Sequence, residues 1–314
     1  MRVGRATPEA GPQMEWPTLG MLVLAYGGWV TAGVLVWPES PASALVLMTL
    51  FTVLHSSLVH EALHGHPTRY PWLNELLVSV PLGLVWPYRR FRALHLRHHV
   101  NALLTDPEED PESAYWESSR YRRFSHWRRR MLIVNNTLLG RMVLGPGLSA
   151  AALVMRDLRG LRDSPRALLL AWGLHAVGVA LVLALLHRGF GIGAGVYLVT
   201  VVWGSFALLA LRTYAEHRWH PDPQARCIIV ESTPLAWLYL NNNLHLVHHR
   251  YPGVAWYKLP GIYQAYRDHW SEMSGGYVYR GYWPLFRAYA MRAKEPVVHP
   301  VLGARETAAP SALQ

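Results

Sequence analysis

The chain has 314 residues, of which 51% are hydrophobic and only 16% are charged, against roughly 25% charged residues in an average soluble domain. These values exclude a disordered chain and argue against an ordinary soluble enzyme. The net charge is +10, and the single cysteine, Cys227, excludes an internal disulfide framework, a cysteine-based zinc ribbon and an iron–sulfur cluster held within the chain.

Four segments contain no Asp, Glu, Lys or Arg, and each is long enough for a helix to cross a hydrocarbon core of ~30 Å. They cover residues 18–38, 41–59, 167–187 and 192–211. The turns around Glu39 and Arg188 are very short, so the sequence predicts two helical hairpins. The first segment lacks a clear small-residue cleavage site and runs straight into the second, which favours a retained helix over a signal peptide.

Arginine is distributed unevenly around these segments. Residues 61–166, between the hairpins, hold 16 arginines, whereas the outer turns hold one basic residue, Arg188. Arg2 and Arg5 add positive charge ahead of the first span. The positive-inside rule therefore predicts a multi-pass protein with both termini and the middle segment in the cytoplasm, located in the inner membrane if the source is bacterial.

We therefore expect an all-α integral membrane protein with four transmembrane helices in two hairpins and a cytoplasmic helical cap. It forms a single domain over residues 1–299, followed by a loose tail over residues 300–314. Residues 72–88 are apolar but short and interrupted by Pro81, which predicts a re-entrant or interfacial helix. Residues 131–155 carry Asn135, Asn136 and Arg141, which favours an interfacial helix over a fifth span.

Three histidine clusters hold nine of the 17 histidines. They are His60-Glu-Ala-Leu-His64-Gly-His66, His95-Leu-Arg-His98-His99 and His245-Leu-Val-His248-His249. On an α-helix, residues i, i+3 and i+4 share one face, so each H-x-x-H-H box projects three imidazoles toward one point. Neutral imidazole binds Fe, Zn, Cu and Ni, and this many imidazoles exceed what one ion can use, so the sequence predicts a site for two metal ions.

The predicted topology brings all the clusters to one membrane face. His60 follows the second span and His217 follows the fourth, while the two H-x-x-H-H boxes lie in cytoplasmic segments. The candidate metal ligands are His60, His64, His95, His98, His99, His217, His245, His248 and His249. Whether His66 or His220 also binds metal is left open.

Four other polar residues are candidates to orient these ligands. Asp106 and Asp110, in the acidic loop after the second box, and Glu216 are expected to accept ring N–H bonds and fix the histidine tautomers. Asn241, one helical turn before His245, is expected to orient a ligand or a bound water. A helix-breaking acidic loop without such a role is the alternative for the carboxylates.

The order H-x-x-x-H, H-x-x-H-H, H-x-x-H-H, interleaved with two helical hairpins, resembles the membrane fatty acid desaturase superfamily over residues 18–266. The runs His-Glu-Ala-Leu-His-Gly-His-Pro-Thr and Asn-Asn-Asn-Leu-His-Leu-Val-His-His-Arg-Tyr-Pro-Gly are similar to bacterial desaturase-like proteins. The resemblance implies a non-haem di-iron centre on the cytoplasmic face, with the nine histidines named above as ligands. Some relatives use an asparagine through water four residues before the histidine that follows the last span, and this chain has Thr213 there.

The same resemblance implies an oxidoreductase that uses O2 to attack an aliphatic C–H bond of a fatty acyl chain or other lipid. Desaturation is favoured, and the alternative is a hydroxylase or other oxygenase with the same di-iron centre, since both reactions begin with the same hydrogen abstraction. No haem-binding segment or flavin fingerprint is visible in the sequence. Electrons are therefore expected from a separate carrier, ferredoxin-like or cytochrome b5-like, with its reductase, and an acidic carrier would suit the arginine-rich face.

Other functions account for less of the sequence. His60-Glu61-Ala-Leu-His64 matches the H-E-x-x-H pattern of zinc metalloproteases, but an intramembrane protease would leave both H-x-x-H-H boxes unexplained. A non-catalytic membrane metal-binding protein is a further alternative. The arginine run over residues 122–130, beside four predicted spans, indicates contact with anionic lipid rather than nucleic acid.

Overall fold

The structure, a computed structural model, describes residues 14–100 and 104–301. Arg2, Arg5 and residues 302–314 of the predicted tail lie outside the described residues. The α-helices are α1 (Trp16–Thr31), α2 (Pro41–Leu63), α3 (Pro71–Leu77), α4 (Tyr88–Val100), α5 (Ser118–Arg122), α6 (His126–Asn135), α7 (Leu138–Gly160), α8 (Pro165–Ala184), α9 (Ala194–Tyr197), α10 (Trp203–Glu216), α11 (His245–Arg250), α12 (Leu259–Ala265), α13 (Arg267–Met273) and α14 (Tyr282–Tyr289). Strands β1 (Ile229–Val230) and β2 (Val278–Tyr279) form a parallel pair. The predicted all-α membrane fold is confirmed, apart from this short strand pair.

Three of the long helices are extended by π-helical turns. Helix α1 continues through Ala32–Val36, helix α8 continues through Leu185–Phe190, and Leu198–Val202 joins α9 to α10. Helices α1, α2 and α8 have a proline in their first turn, where a missing backbone N–H costs no hydrogen bond. Helix α2 runs past residue 59 to Leu63, so it carries His60 in its last turn.

Five helices are long and apolar enough to cross a membrane: Trp16–Val36, Pro41–Leu63, Leu138–Gly160, Pro165–Phe190 and Ala194–Glu216. Four of them correspond to the predicted spans. The fifth, α7, covers much of the stretch that the sequence assigns to the interface, and its mean hydropathy of 1.6 is the lowest of the five. Length and composition alone therefore do not decide whether α7 crosses the membrane.

The segment between α3 and α4 enters the helix bundle and leaves it again. Pro81 packs against Gly178 of α8 so closely that a Cβ at position 178 would lie 2.6 Å from the proline ring. Three backbone carbonyls of this segment find side-chain donors: Val80 from Tyr26 (3.2 Å), Leu82 from Tyr197 (2.8 Å) and Leu84 from His175 (2.9 Å). Irregular backbone at membrane depth requires such partners, because no water is available there.

The cap that follows α10 has its own apolar core. Its buried residues are Leu104, Cys227, Ile229, Leu244, Leu246, Val247, Leu259, Tyr263 and Trp270. The backbone N–H of Leu246 donates to Ile228 (3.1 Å), and the N–H of Val230 donates to Asn243 (2.8 Å). These bonds fix the start of α11 against β1, and so they set the direction in which the third histidine box points.

A buried ion pair ties α7 to the helix that carries the second histidine box. Arg90 of α4 contacts both carboxylate oxygens of Asp157, at 2.7–3.0 Å, and Trp172 of α8 donates to the same carboxylate at 2.9 Å. The Asp157 side chain is 5% exposed and that of Arg90 is 22% exposed. Removing one member of such a pair leaves a poorly solvated charge without its partner.

We expect Asp157→Asn to lower the free energy of unfolding by about 3 kcal/mol, because the Arg90 guanidinium loses its counter-charge in a site with little water. Thermal unfolding of the purified protein in detergent measures this effect. Asp163→Asn is the matched control, since Asp163 is an exposed aspartate just beyond the same helix. Equal unfolding temperatures for the two variants would contradict the assigned role.

Candidate metal centre

The nine candidate histidines converge into two groups in which the ring nitrogens could hold a metal ion. The first group is His60, His64, His95, His99 and His248, and the second is His98, His217, His245 and His249. Within each group, one ligand atom per residue lies within 4.8 Å of every other. Both groups consist of histidine alone, and they gather residues from α2, α4, α11 and the end of α10.

Each H-x-x-H-H box is shared between the two groups. In α4, His95 and His99 belong to the first group and His98 to the second, whereas in α11 His248 belongs to the first and His245 and His249 to the second. The i, i+4 pair of each box thus serves one group and the i+3 residue serves the other. His99 and His249 stack with ring centroids 4.2 Å apart, so the two groups are adjacent.

In each group, one Nε2 atom lies at hydrogen-bond distance from two others, although it carries at most one proton. His98 Nε2 and His245 Nε2 lie 3.1 and 3.0 Å from His217 Nε2. In the first group, His99 Nε2 lies 3.0 Å from His95 Nε2 and 3.2 Å from His248 Nε2. The Nε2 atoms of His60, His64 and His249 are buried without a hydrogen-bond partner among the described residues.

Neighbouring oxygen atoms fix which nitrogen carries the proton. His98 Nδ1 donates to Asp110 (2.7 Å), and His95 Nδ1 donates to Glu112 (2.7 Å). His245 Nδ1 lies 2.9 Å from Asn242 Oδ1 and donates to it. In the neutral form of these three rings, Nε2 then bears a lone pair that faces the other imidazoles. A cation between converging lone pairs would stabilise them, so the residues fit a pair of ions that accept nitrogen ligands.

The histidines outside the spans have pKa values that suit metal binding. Burial, followed by the charge of neighbouring imidazoles, lowers the pKa of His99 to about 3. The same causes lower the pKa of His64, His217, His245, His248 and His249. Burial also acts to lower the pKa of His98, but the hydrogen bond to Asp110 and the negative charges of Glu112, Asp110 and Glu216 together outweigh it and raise the pKa. Most of the rings are therefore neutral, as ligand imidazoles must be.

Glu112 is a site residue that the sequence analysis misses. Burial acts to raise the pKa of its carboxyl, but His95, which also donates a hydrogen bond, acts together with His98 and His217 to hold the pKa below its ordinary value. Its backbone N–H donates to Asp110 Oδ1 at 2.9 Å, so one short turn aims two carboxylates at two rings of the same helix. The sequence signal was present, since Glu112 stands two residues after Asp110.

The other carboxylates predicted to orient ligands, Asp106, Asp110 and Glu216, differ in whether they contact a histidine of the two groups. Asp110 accepts from His98 Nδ1, whereas Asp106 accepts from the backbone N–H groups of Glu108 and Glu109 and has no hydrogen bond to a histidine among the described residues. Glu216 pairs with Arg212 at 2.9 Å and lies 3.7 Å from His245 Nδ1. That distance is too long for a hydrogen bond.

Asn241 does not reach His245 either. Leu240 and Asn241 have left-handed backbone conformations (φ 48° and 56°), so the helix of the third box begins only at His245. The expected helical turn between positions 241 and 245 is absent. The Asn241 amide donates instead to the Trp256 carbonyl at 3.1 Å, and Asn242 takes the position beside the His245 ring.

His66 and His220 lie outside both histidine groups. His66 Nδ1 is 2.9 Å from Glu15, and His220 Nδ1 accepts from the backbone N–H of Asp222 at 3.1 Å. Glu61, the expected general base of the protease alternative, accepts from the Trp256 backbone N–H at 3.2 Å. His60 and His64 share their group with three further histidines, an arrangement that a two-histidine zinc protease motif does not explain.

The meeting of the two groups constrains how the chain crosses the membrane. His60 ends α2 and His217 follows α10, and both belong to adjacent groups on one side of the bundle. With α8 and the α9–α10 helix each crossing once, the segment between α2 and α8 must cross an even number of times. The segment between α3 and α4 enters and leaves the bundle on the same side, so it adds no crossing. A single crossing by α7 would make the number odd and place the ends of α2 and α10 on opposite sides of the membrane. The geometry therefore favours four crossings, with α7 at the interface.

A family model described as fatty acid desaturase matches residues 35–281, and the match contains all nine candidate histidines. The chain belongs to the fatty acid desaturase family. Among curated proteins, no sequence matches the chain. Family membership and the apolar helices together make this protein a membrane oxidoreductase of the desaturase or hydroxylase type.

We expect Asp110→Asn and Glu112→Gln each to weaken metal binding about 10–100-fold, because each removes the charge that fixes a ligand tautomer. Asp106→Asn, in the same loop, should retain wild-type affinity, since the Asp106 side chain accepts from the backbone N–H groups of Glu108 and Glu109 and, among the described residues, has no hydrogen bond to a histidine of either group. Metal retained during dialysis against graded chelator concentrations measures the difference. A loss in Asp106→Asn as large as that in Asp110→Asn would contradict the assigned contacts.

Proposed function

We propose that this protein is a di-iron, O2-dependent desaturase that removes two hydrogens from a fatty acyl chain or similar lipid. The observation that carries the proposal is the all-histidine pair of groups, in which both H-x-x-H-H boxes are divided between two adjacent sites. His60, His64, His95, His99 and His248 would hold one iron, and His98, His217, His245 and His249 would hold the other. Iron suits this donor set, since imidazole is among the ligands that it accepts.

When bound, the iron ions supply the O2-derived oxidant that breaks an unactivated C–H bond, chemistry that no side chain provides. The protein's own residues hold the ligands in place before O2 and substrate arrive. Asp110 and Glu112 keep the Nδ1 protons on His98 and His95, so that Nε2 of each ring stays free for the metal. The balanced reaction takes two electrons and two protons and reduces O2 to two waters while the alkene forms.

A small cavity of about 50 Å³ supports an apolar substrate path beside the first group. It lies between α2, α3, the re-entrant segment, α4 and α8. Most of its wall is apolar, but its lining also includes His55, Glu75, Arg89 and His175. None of the nine candidate histidines lines the cavity, and its lining residue Val59 directly precedes His60 in α2. An acyl chain that enters from the bilayer along α8 would bring its methylene groups toward those histidines.

The electrons would come from a separate ferredoxin-like or cytochrome b5-like carrier with its reductase. Arg120, Arg122, Arg123, Arg128 and Arg130 are exposed on α5, α6 and the turn between them. This face suits an acidic carrier, because opposite charges increase the rate of encounter. With four crossings and the arginine-rich segment inside, the histidines would lie on the cytoplasmic face of the membrane.

The first experiment is metal and product analysis of protein purified without a chelator or a polyhistidine tag. We expect about two irons per chain, with the nine imidazoles divided between them. Turnover with ferredoxin, its reductase and O2 should yield a lipid that has lost two hydrogens. His64→Ala and His249→Ala, one from each group, should abolish turnover.

Other outcomes of that experiment would redirect the assignment. A lipid that gains one oxygen instead of losing two hydrogens would make the protein a hydroxylase with the same centre. One zinc per chain together with peptide cleavage would support the protease alternative. Metal binding without O2 consumption would indicate a non-catalytic metal-binding protein.

The cavity beside α8 makes a separate prediction. Leu174→Trp should lower turnover of acyl substrates several-fold, because an indole at this position fills the entrance to a cavity of only about 50 Å³. Metal content should be unchanged, since position 174 belongs to neither histidine group. Leu181→Trp, on the same helix at a lipid-exposed position, is the control. Equal turnover in both variants would exclude this path.

A further inference from the structure

The described chain continues past the matched residues and packs against the second histidine group. We call residues 282–301 the C-terminal strap; it begins with α14, just after the family match ends at residue 281. The strap bonds to the start of α7, where the Leu139 N–H donates to the Ala290 carbonyl at 3.0 Å. It also pairs with the segment before α5, where the Trp116 N–H donates to Val297 at 2.9 Å.

Between these two attachments, Lys294 reaches the end of α10. Its ammonium group donates to the backbone carbonyl of His217 and to the hydroxyl of Tyr277, the latter at 2.9 Å. The ammonium lies 5.6 Å from the ring centre of Tyr214 and 5.5 Å from that of Tyr277, both within cation–π range. The backbone N–H of Lys294 also donates to the Tyr214 hydroxyl at 3.0 Å.

The last carbonyls of α10 have partners from different parts of the chain. The Ala215 carbonyl accepts from the Tyr277 hydroxyl (2.7 Å), and the Glu216 carbonyl accepts from the Ile228 N–H (3.0 Å). His217 has left the helix for an extended conformation (φ −128°, ψ 148°), and its carbonyl accepts from Lys294. Burial lowers the pKa of Lys294 to about 7, and in its protonated form the side chain also opposes the negative pole of the helix dipole.

His217 depends on its backbone more than the other members of its group do. The His98 and His245 rings are oriented by Asp110 and Asn242, and His249 shares a helix with His245. The Nδ1 atom of His217 has the sulfur of Cys227 at 3.6 Å as its neighbour, a weak partner for an imidazole. The position of the His217 ring therefore follows from how its main chain is held.

We propose that the C-terminal strap completes the second histidine group and that Lys294 is the positioning residue for His217. The proposal deepens the proposed function, because it assumes that His217 binds a metal ion. Lys294 bonds to the main chain of His217 and not to its ring nitrogens. It acts through the His217 carbonyl, so its loss should weaken the second metal site and leave the first intact.

The test is a Co²⁺ titration of the metal-free protein, followed by visible absorption. Wild type should bind two ions. Lys294→Met should weaken binding of one ion about 10-fold or more, the range seen when a supporting contact of a ligand is removed, and should leave the other unchanged. The remaining event should match that of His249→Ala, which lacks a ligand of the second group, and should differ from that of His64→Ala.

Two further variants keep the test specific. Lys258→Met is the matched control, because Lys258 is the only other lysine in the chain and is exposed. Lys294→Arg keeps the charge and the donors and should restore much of the lost affinity. Two wild-type affinities in Lys294→Met, equal weakening of both, or unfolding in place of selective loss would overturn the proposal.

The outcome is separate from that of the proposed function. A wild-type protein that binds two Co²⁺ ions but carries no iron when purified would contradict the di-iron desaturase and leave the role of the strap measurable. A wild-type protein with two irons, together with two unchanged Co²⁺ affinities in Lys294→Met, would refute the strap alone.

Discussion

The structure depends on the repulsion between nitrogen lone pairs that point at one another. Asp110, Glu112 and Asn242 each accept a hydrogen bond from the Nδ1–H of one ring, which leaves Nε2 of that ring as an acceptor. Nitrogen atoms of other imidazoles lie about 3 Å from these Nε2 atoms. Without a cation, this arrangement has too few protons for its contacts. The two groups are therefore arranged for positive charge that the chain itself does not supply, and metal ions bound there would also stabilise the cap.

The convergence of these rings is a result of where helices end. His60 and His64 lie at the last turn of α2, His217 at the first non-helical residue after α10, and the H-x-x-H-H boxes on two helices of the cap. The bundle brings the ends of α2 and α10 to one side, and the cap core around β1 sets the direction of α11. The strap then ties the end of α10 to α7. Membrane helices, cap and strap thus each contribute to one site.

Much of this organisation can be read from the sequence, because it depends on regular periodicity. The uncharged segments predict the two hairpins, and the i, i+3, i+4 spacing predicts that the boxes project several imidazoles together. The division of each box between two groups could not be read in this way. All three residues of a box share one broad helix face, and only tertiary placement decides which neighbour each ring meets.

The contacts that the sequence analysis misses depend on irregular backbone. Asn241 was expected beside His245 on the assumption of a continuous helix, but the left-handed residues Leu240 and Asn241 bring Asn242 there instead. In the acidic loop, composition does not distinguish Asp106, which closes the turn, from Glu112, which reaches His95. Lys294 and His217 are 77 positions apart in the chain, so no local sequence pattern predicts their contact.

The hydrogen bonds of the re-entrant segment also limit how the selectivity of the proposed substrate path could be altered. Its carbonyls at positions 80, 82 and 84 are bonded to side chains from three different helices, at Tyr26, Tyr197 and His175. Breaking any one of these bonds would leave a backbone carbonyl without a hydrogen-bond partner in the hydrocarbon region, which costs several kcal/mol of free energy. The part of the cavity lining that this segment contributes, Ser79 and Pro81, is consequently held in a fixed position. In the proposed substrate path, resizing individual residues on the surrounding walls would therefore alter selectivity more readily than bending this segment would.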